Sequence, residues 1–138
     1  TGNNVEIGNN LTLIAGGGII TGNGTEIGNH CLIYSGIGFT FGNELETASF
    51  AAGQGTLFLT PGDVTMGNNA TIAGFIYSGD NVVMGNNASF IGNIIAGHVS
   101  AVGNGSVLTA NSTLVDYSSI PGFYPGVTTA GSTWEESY

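Results

Sequence analysis

Apolar residues along this chain come in short alternating bursts, such as Val5-Glu6-Ile7, Leu11-Thr12-Leu13 and Val64-Thr65-Met66, set between Gly-Asn pairs. A period of two predicts short strands, since a helix needs apolar positions 3.6 residues apart. Glycine and β-branched residues recur throughout and argue further against helix. The Gly-Asn pairs predict tight corners, because both residues tolerate left-handed backbone angles.

The bursts repeat. Gly2, Gly22, Gly42 and Gly62 are spaced by 20 residues, and Gly79 and Gly97 follow at 17 and 18. Read from each glycine, the segments GNNVEIGNN, GNGTEIGNH, GNELETASF, GDVTMGNN, GDNVVMGNN and GHVSAVGNG align with one another. Repeats of this length predict stacked coils, each with room for about three short strands. The expected fold is all-β: a single-stranded parallel β-helix, or β-solenoid, of about six coils of 17–20 residues. At about 4.8 Å per coil the rod is about 29 Å long. The coils are expected over residues 1–114. Residues 115–138, with Pro121, Phe123, Tyr124, Pro125 and Trp134, leave the repeat and predict an irregular C-terminal cap or inter-subunit arm.

Stacking turns the sequence into columns. The expected interior columns are Ile7, Ile27, Thr47, Met66, Met84, Val102; then Leu13, Ile33, Gly53, Ile72, Phe90, Leu108; then Leu11, Cys31, Ala51, Ala70, Ala88, Ser106; and Ile19, Phe39, Leu59, Ile76, Ile94. Coil three departs most, and Gly53-Gln54-Gly55 predicts a bulge or loop there. An asparagine column of Asn9, Asn29, Asn68, Asn86 and Asn104, with Ser49 in coil three, is expected at one corner, where stacked amides hydrogen-bond along the rod.

Charge narrows the function classes. The chain has no Lys or Arg and nine acidic residues, so nothing on it neutralises phosphates; nucleic acid and anionic lipid are not expected partners. No run reaches the roughly 18 apolar residues of a membrane helix. The chain opens inside its first repeat with no leader-like segment, as expected of a processed or excised domain. Its single cysteine excludes an intrachain disulfide.

Glu6, Glu26 and Glu46 fall in one outward column, where like charges one coil apart repel by about 1 kcal/mol in water. A bridging cation would relieve this, and an oxygen-only, charge-dense site suits calcium. Asp63 and Asp80, each following a corner glycine, form a second calcium candidate; the plain alternative for both sets is a solvated acidic surface. Cys31 belongs to an inward column and reads as a core thiol, while His30 and His98 lie at different corners. No catalytic constellation is present, and no enzymatic activity is expected. Six glycosylation-type sequons, at Asn10, Asn23, Asn69, Asn87, Asn104 and Asn111, coincide with what Asn-rich corners require.

The rhythm VEIGNN…TEIGNH resembles hexapeptide-repeat acyltransferases, but those use a catalytic histidine and basic residues for the acyl carrier or coenzyme A, and this chain has no basic residue. Residues 57–138 show a closer resemblance. The run VTMGNNATIAGFIYSGDNVVMGNNASFIGNIIAGHVSAVGNGSV, then VDYSS, a Pro-Gly segment and STWEES, looks like the C-terminal domain of PilX-type pilus-assembly proteins. Bactofilins share the polymer-forming solenoid more distantly. The resemblance implies a secreted or surface-exposed bacterial location.

The expected function is a structural subunit of an extracellular filament or pilus-associated assembly. Its partner is a second copy, added head to tail through open strand edges, with Phe123, Tyr124 and Trp134 as assembly residues and calcium as a candidate stabilising ion. The alternative is an ice- or polysaccharide-binding surface. The column Thr12, Leu32, Ala52, Thr71, Ser89, Val107 is too mixed for a threonine ladder.

Overall fold

A computed structural model of the chain describes residues 2–48 and 51–115. Among them all regular structure is strand, and every strand pairing is parallel. The chain winds as a three-sided β-solenoid. Coil one holds β1 (Glu6–Ile7), β2 (Thr12–Ala15) and β3 (Ile19–Ile20). Coil two repeats this with β4 (Glu26–Ile27), β5 (Leu32–Ser35) and β6 (Gly38–Phe41), and coil three with β7 (Glu46–Thr47), β8 (Thr56–Thr60) and β9 (Asp63–Met66). Coils four and five are each one long strand, β10 (Thr71–Met84) and β11 (Ser89–Val102), and coil six contributes β12 (Val107–Ala110).

Each coil starts at the same corner, where Gly22, Gly42, Gly67, Gly85 and Gly103 lie against the coil-starting glycine before them. Successive coils are offset by 20, 20, 25, 18 and 18 residues. The frame through Gly62, Gly79 and Gly97 is therefore corrected: these glycines sit at another corner, against Ile37, Pro61 and the Gly79-Asp80 backbone. The cause is the insertion after β7, which lengthens coil three and shifts every later coil relative to that reading. The loop expected at Gly53-Gln54-Gly55 is part of this insertion.

The shift re-joins the columns. Ile7, Ile27 and Thr47 are continued by Ile72, Phe90 and Leu108 on face one. On face two Leu13 and Ile33 are continued by Phe58, Ile76 and Ile94, and on face three Ile19 and Phe39 by Val64, Val82 and Val99. Met66, Met84 and Val102 follow Phe41. Leu59, expected inside, faces outward beside Tyr34 and Tyr77.

At mid-rod the core holds Phe39, Phe41 and Phe58, which meet with ring centroids 5.3–5.8 Å apart. Fully burying a side chain of this size contributes about 1.5–3 kcal/mol.

Coils one and two turn from face one to face two through a Gly-Asn corner. In β10 and β11 that corner is replaced by Gly74 (φ 155°) and Gly92 (φ 138°) within a continuous strand. A Cβ at Gly74 would collide with the Thr56 carbonyl oxygen, and one at Gly92 with that of Gly74. The kink uses two residues fewer than the Gly-Asn corner, which matches the 18-residue coils.

After β12 the chain turns at Asn111, whose Oδ1 accepts from the Thr113 amide (3.0 Å) and hydroxyl (2.7 Å). It then runs back along the rod to coil three, where the Gly53 and Gly55 N–H groups donate to the Thr113 and Leu114 carbonyls at 2.8 and 2.7 Å. Val115 closes over Leu32 and Leu57 on the outside of face two, forming a small second core. Phe123, Tyr124 and Trp134 lie outside the described residues, as does Ser49.

Candidate functional site

Three groupings come out of this winding: a corner ladder, an acidic column and the surfaces of the two end coils. The ladder is Asn3, Asn23, Asn43, Asn68, Asn86 and Asn104. Each Oδ1 accepts the backbone N–H of the next asparagine, at 2.8–3.0 Å. The expected column mixed two corners. Asn9 and Asn29 form a separate short ladder, with the Asn29 N–H donating to Asn9 Oδ1 at 2.7 Å. The bonds also differ from stacked amides: each side chain caps a main-chain donor, which gives the ladder a direction along the rod.

The residue after each ladder asparagine is in the left-handed region: Asn4 (φ 54°), Gly24 (64°), Glu44 (58°), Asn69 (56°), Asn87 (54°) and Gly105 (71°). Five of the six are Asn or Gly, which occupy this region readily. Glu44 is the exception.

Glu6, Glu26 and Glu46 do form one column, in direct register and solvent-exposed. It continues as Thr71, Ser89 and Val107, so the charge is confined to three coils. Asp63 and Asp80 do not share a register position. Asn81 stands between them, donating from its backbone and side-chain amides to Asp63 Oδ1 (3.0 and 3.2 Å) and from its side chain to Asp80 Oδ1 (2.9 Å). No three His, Cys, Asp or Glu side chains converge as a metal set among the described residues.

Cys31 is fully buried, its Sγ against the carbonyl oxygens of Gly8, Asn29 and Gly28 at 3.3–3.6 Å, a core thiol as expected. His30 is a left-handed corner residue (φ 53°), and His98 pairs with Asn81 on face three. The structure does not bring the two together.

The end coils are the most distinctive surfaces. On coil one, Ile7, Leu13 and Ile19 point into the bore but are only partly covered. At the other end Val99, Val102 and Leu108 are about half exposed, and Ile94 and Ala96 are partly so. Beyond the β12 pairing the β11 segment from Asn93 onward has no strand on its outer edge among the described residues. A depression of about 360 Å³ there is lined by Phe90, Ile94, Val99 and Leu108, with Gly92 and Asn93. The reading from sequence missed that these residues top the very columns that Ile7, Leu13 and Ile19 begin; the phase shift in coil three hid it. Comparison with protein-family models, with curated proteins and with solved structures finds no match to this chain.

Proposed function

We propose that the chain is a structural subunit of an extracellular filament or pilus-associated surface assembly that grows by head-to-tail stacking of its solenoid. The observation that carries this reading is the match between the two end coils. A copy placed with its coil one on the coil six of another sets Ile7 over Leu108 and continues that interior column. Leu13 and Ile19 fall in the columns topped by Ile94 and Val99, one coil spacing further away, because coil six has no described strand on faces two and three. The ladder matches as well: Asn104 Oδ1 is the next acceptor in the series, and the Asn3 N–H is the next donor. Such a contact is heterologous and does not close, so its product is a linear polymer.

The resemblance of residues 57–138 to PilX-type proteins supports a bacterial surface location, and a chain without Lys or Arg suits an assembly that avoids nucleic acid and anionic membranes. Calcium belongs to this reading as an ion between neighbouring carboxylates of the column, Glu6 with Glu26 or Glu26 with Glu46, relieving repulsion there. Sedimentation of the wild type against Leu108→Glu tests the stacking. The wild type is expected to form concentration-dependent polymers. The variant places a carboxylate in the end face without disturbing a buried site, and is expected to sediment as a small species. Equal sedimentation of the two, or a small species in both, overturns the proposal.

A further inference from the structure

Face two carries an outward column unlike any other on the rod. Ile14, Tyr34, Leu59, Tyr77 and Ile95 follow one another in direct register from coil one to coil five. All but Leu59 are strongly exposed, at 71, 37, 46 and 54% in that order. At about 4.8 Å per strand the stripe is about 19 Å long. Single exposed apolar residues need no explanation, but an unbroken stripe does.

Two features decide what fits it. Read from either end, the stripe is the same: Ile, Tyr, Leu, Tyr, Ile. A two-fold axis lying in the plane of the contact, at the level of Leu59 and perpendicular to the rod, brings a second copy face to face with the stripe in antiparallel sense. Ile14 then meets Ile95 of a second copy, Tyr34 meets Tyr77, and Leu59 meets Leu59, as an isologous contact requires. The second feature is charge. Without Lys or Arg, no copy can neutralise the carboxylates of another. Face one bears Glu6, Glu26 and Glu46; Glu44 stands at the coil-starting corner; Asp63 and Asp80 stand at the entry to face three. Among the described residues face two bears no carboxylate, so it is the face on which two copies meet without repulsion. Val115 already seats beside it, over Leu32 and Leu57, with Phe75 and the stripe's own Leu59 packed against the same cluster, which shows that this face accepts apolar cover.

We infer that face two is a self-association surface, on which two copies pair antiparallel about a two-fold axis at the level of Leu59. The stripe is smaller than the roughly 1,200 Å² that opens the range of standard interfaces. Pairing therefore depends on concentration and is strongest where copies are already crowded side by side. This contact is lateral and independent of the end-to-end stacking proposed above.

Cysteine cross-linking of the full chain tests it, with diamide as the oxidant and the buried Cys31 of the wild type as the silent control. Leu59→Cys is expected to give a disulfide-linked dimer on its own. Ile14→Cys mixed with Ile95→Cys is expected to give at least ten-fold more dimer than either variant alone. Dimer from Ile14→Cys alone as abundant as from the mixture means a parallel contact and overturns the antiparallel assignment. No dimer from Leu59→Cys or from the mixture at any concentration means that something else covers the stripe, residues 116–138 of the same chain included, and overturns the proposal. End-to-end stacking keeps residue 59 of two copies a full rod length apart, so it cannot produce these cross-links. Filaments without cross-links sink only the lateral contact; cross-links without filaments sink only the stacking.

Discussion

At the residue scale the corners decide. Six consecutive coils place the residue after the ladder asparagine in the left-handed region, and in coil three that residue is Glu44. An L-residue with a full side chain pays roughly 1–2 kcal/mol there, whereas glycine does not. Glu44→Gly should therefore raise the unfolding free energy by about 1 kcal/mol once glycine's greater freedom in the unfolded chain is subtracted. Urea denaturation reads this directly, and a destabilised variant would mean that the Glu44 side chain makes a compensating contact. Glu26, between Glu6 and Glu46 in register, has like charges on both sides. Like charges directly opposite destabilise by about 0.2–1 kcal/mol, so Glu26→Gln should raise the melting temperature in chelator. Added calcium should narrow the difference if the ion bridges the column. A lower melting temperature for Glu26→Gln would show that the column is already neutralised some other way.

At the element scale the strands of coils four and five differ from those before them because a glycine kink replaces a Gly-Asn corner. Gly74 stacks on Thr56 so closely that even one methyl group meets main chain rather than a movable side chain. Gly74→Ala should cost more than about 2 kcal/mol, as backbone strain and lost inter-coil pairing add; a loss under 0.5 kcal/mol in denaturant titration would contradict the kink. The same elements show what was legible in the sequence. Alternation and Gly-Asn spacing suffice for an all-β coil, for the Glu6–Glu26–Glu46 register and for the buried thiol of Cys31. They do not say which corner of a three-sided coil a glycine occupies. Gly62 is a corner glycine, but of a different corner from Gly42, and spacing by 20 residues made the two look equivalent. The return of residues 111–115 across face two was equally hidden. Its trace is the apolar doublets Leu32-Ile33 and Leu57-Phe58, where both faces of a strand are covered. The doublets Leu13-Ile14, Ile33-Tyr34, Phe58-Leu59, Ile76-Tyr77 and Ile94-Ile95 carry the outward stripe, a signal visible only once the register is right.

At the scale of the whole molecule the rod is a repeat, and the proposed filament sets coil one of one copy on the end coil of another. Repeat proteins gain stability from nearest-neighbour contacts, and in the proposed filament a copy added at the end would supply a further contact of this kind. Coil offsets from 18 to 25 residues leave this intact, because the insertion of coil three and the kinks of coils four and five change the path between corners and not the inter-coil spacing. Electron microscopy of the purified chain is the most direct test. The account predicts unbranched filaments whose axial period equals one rod, about 29 Å for six coils about 4.8 Å apart, and which are absent from Leu108→Glu under the same conditions. Monodisperse single particles at every concentration, with and without calcium, would contradict it.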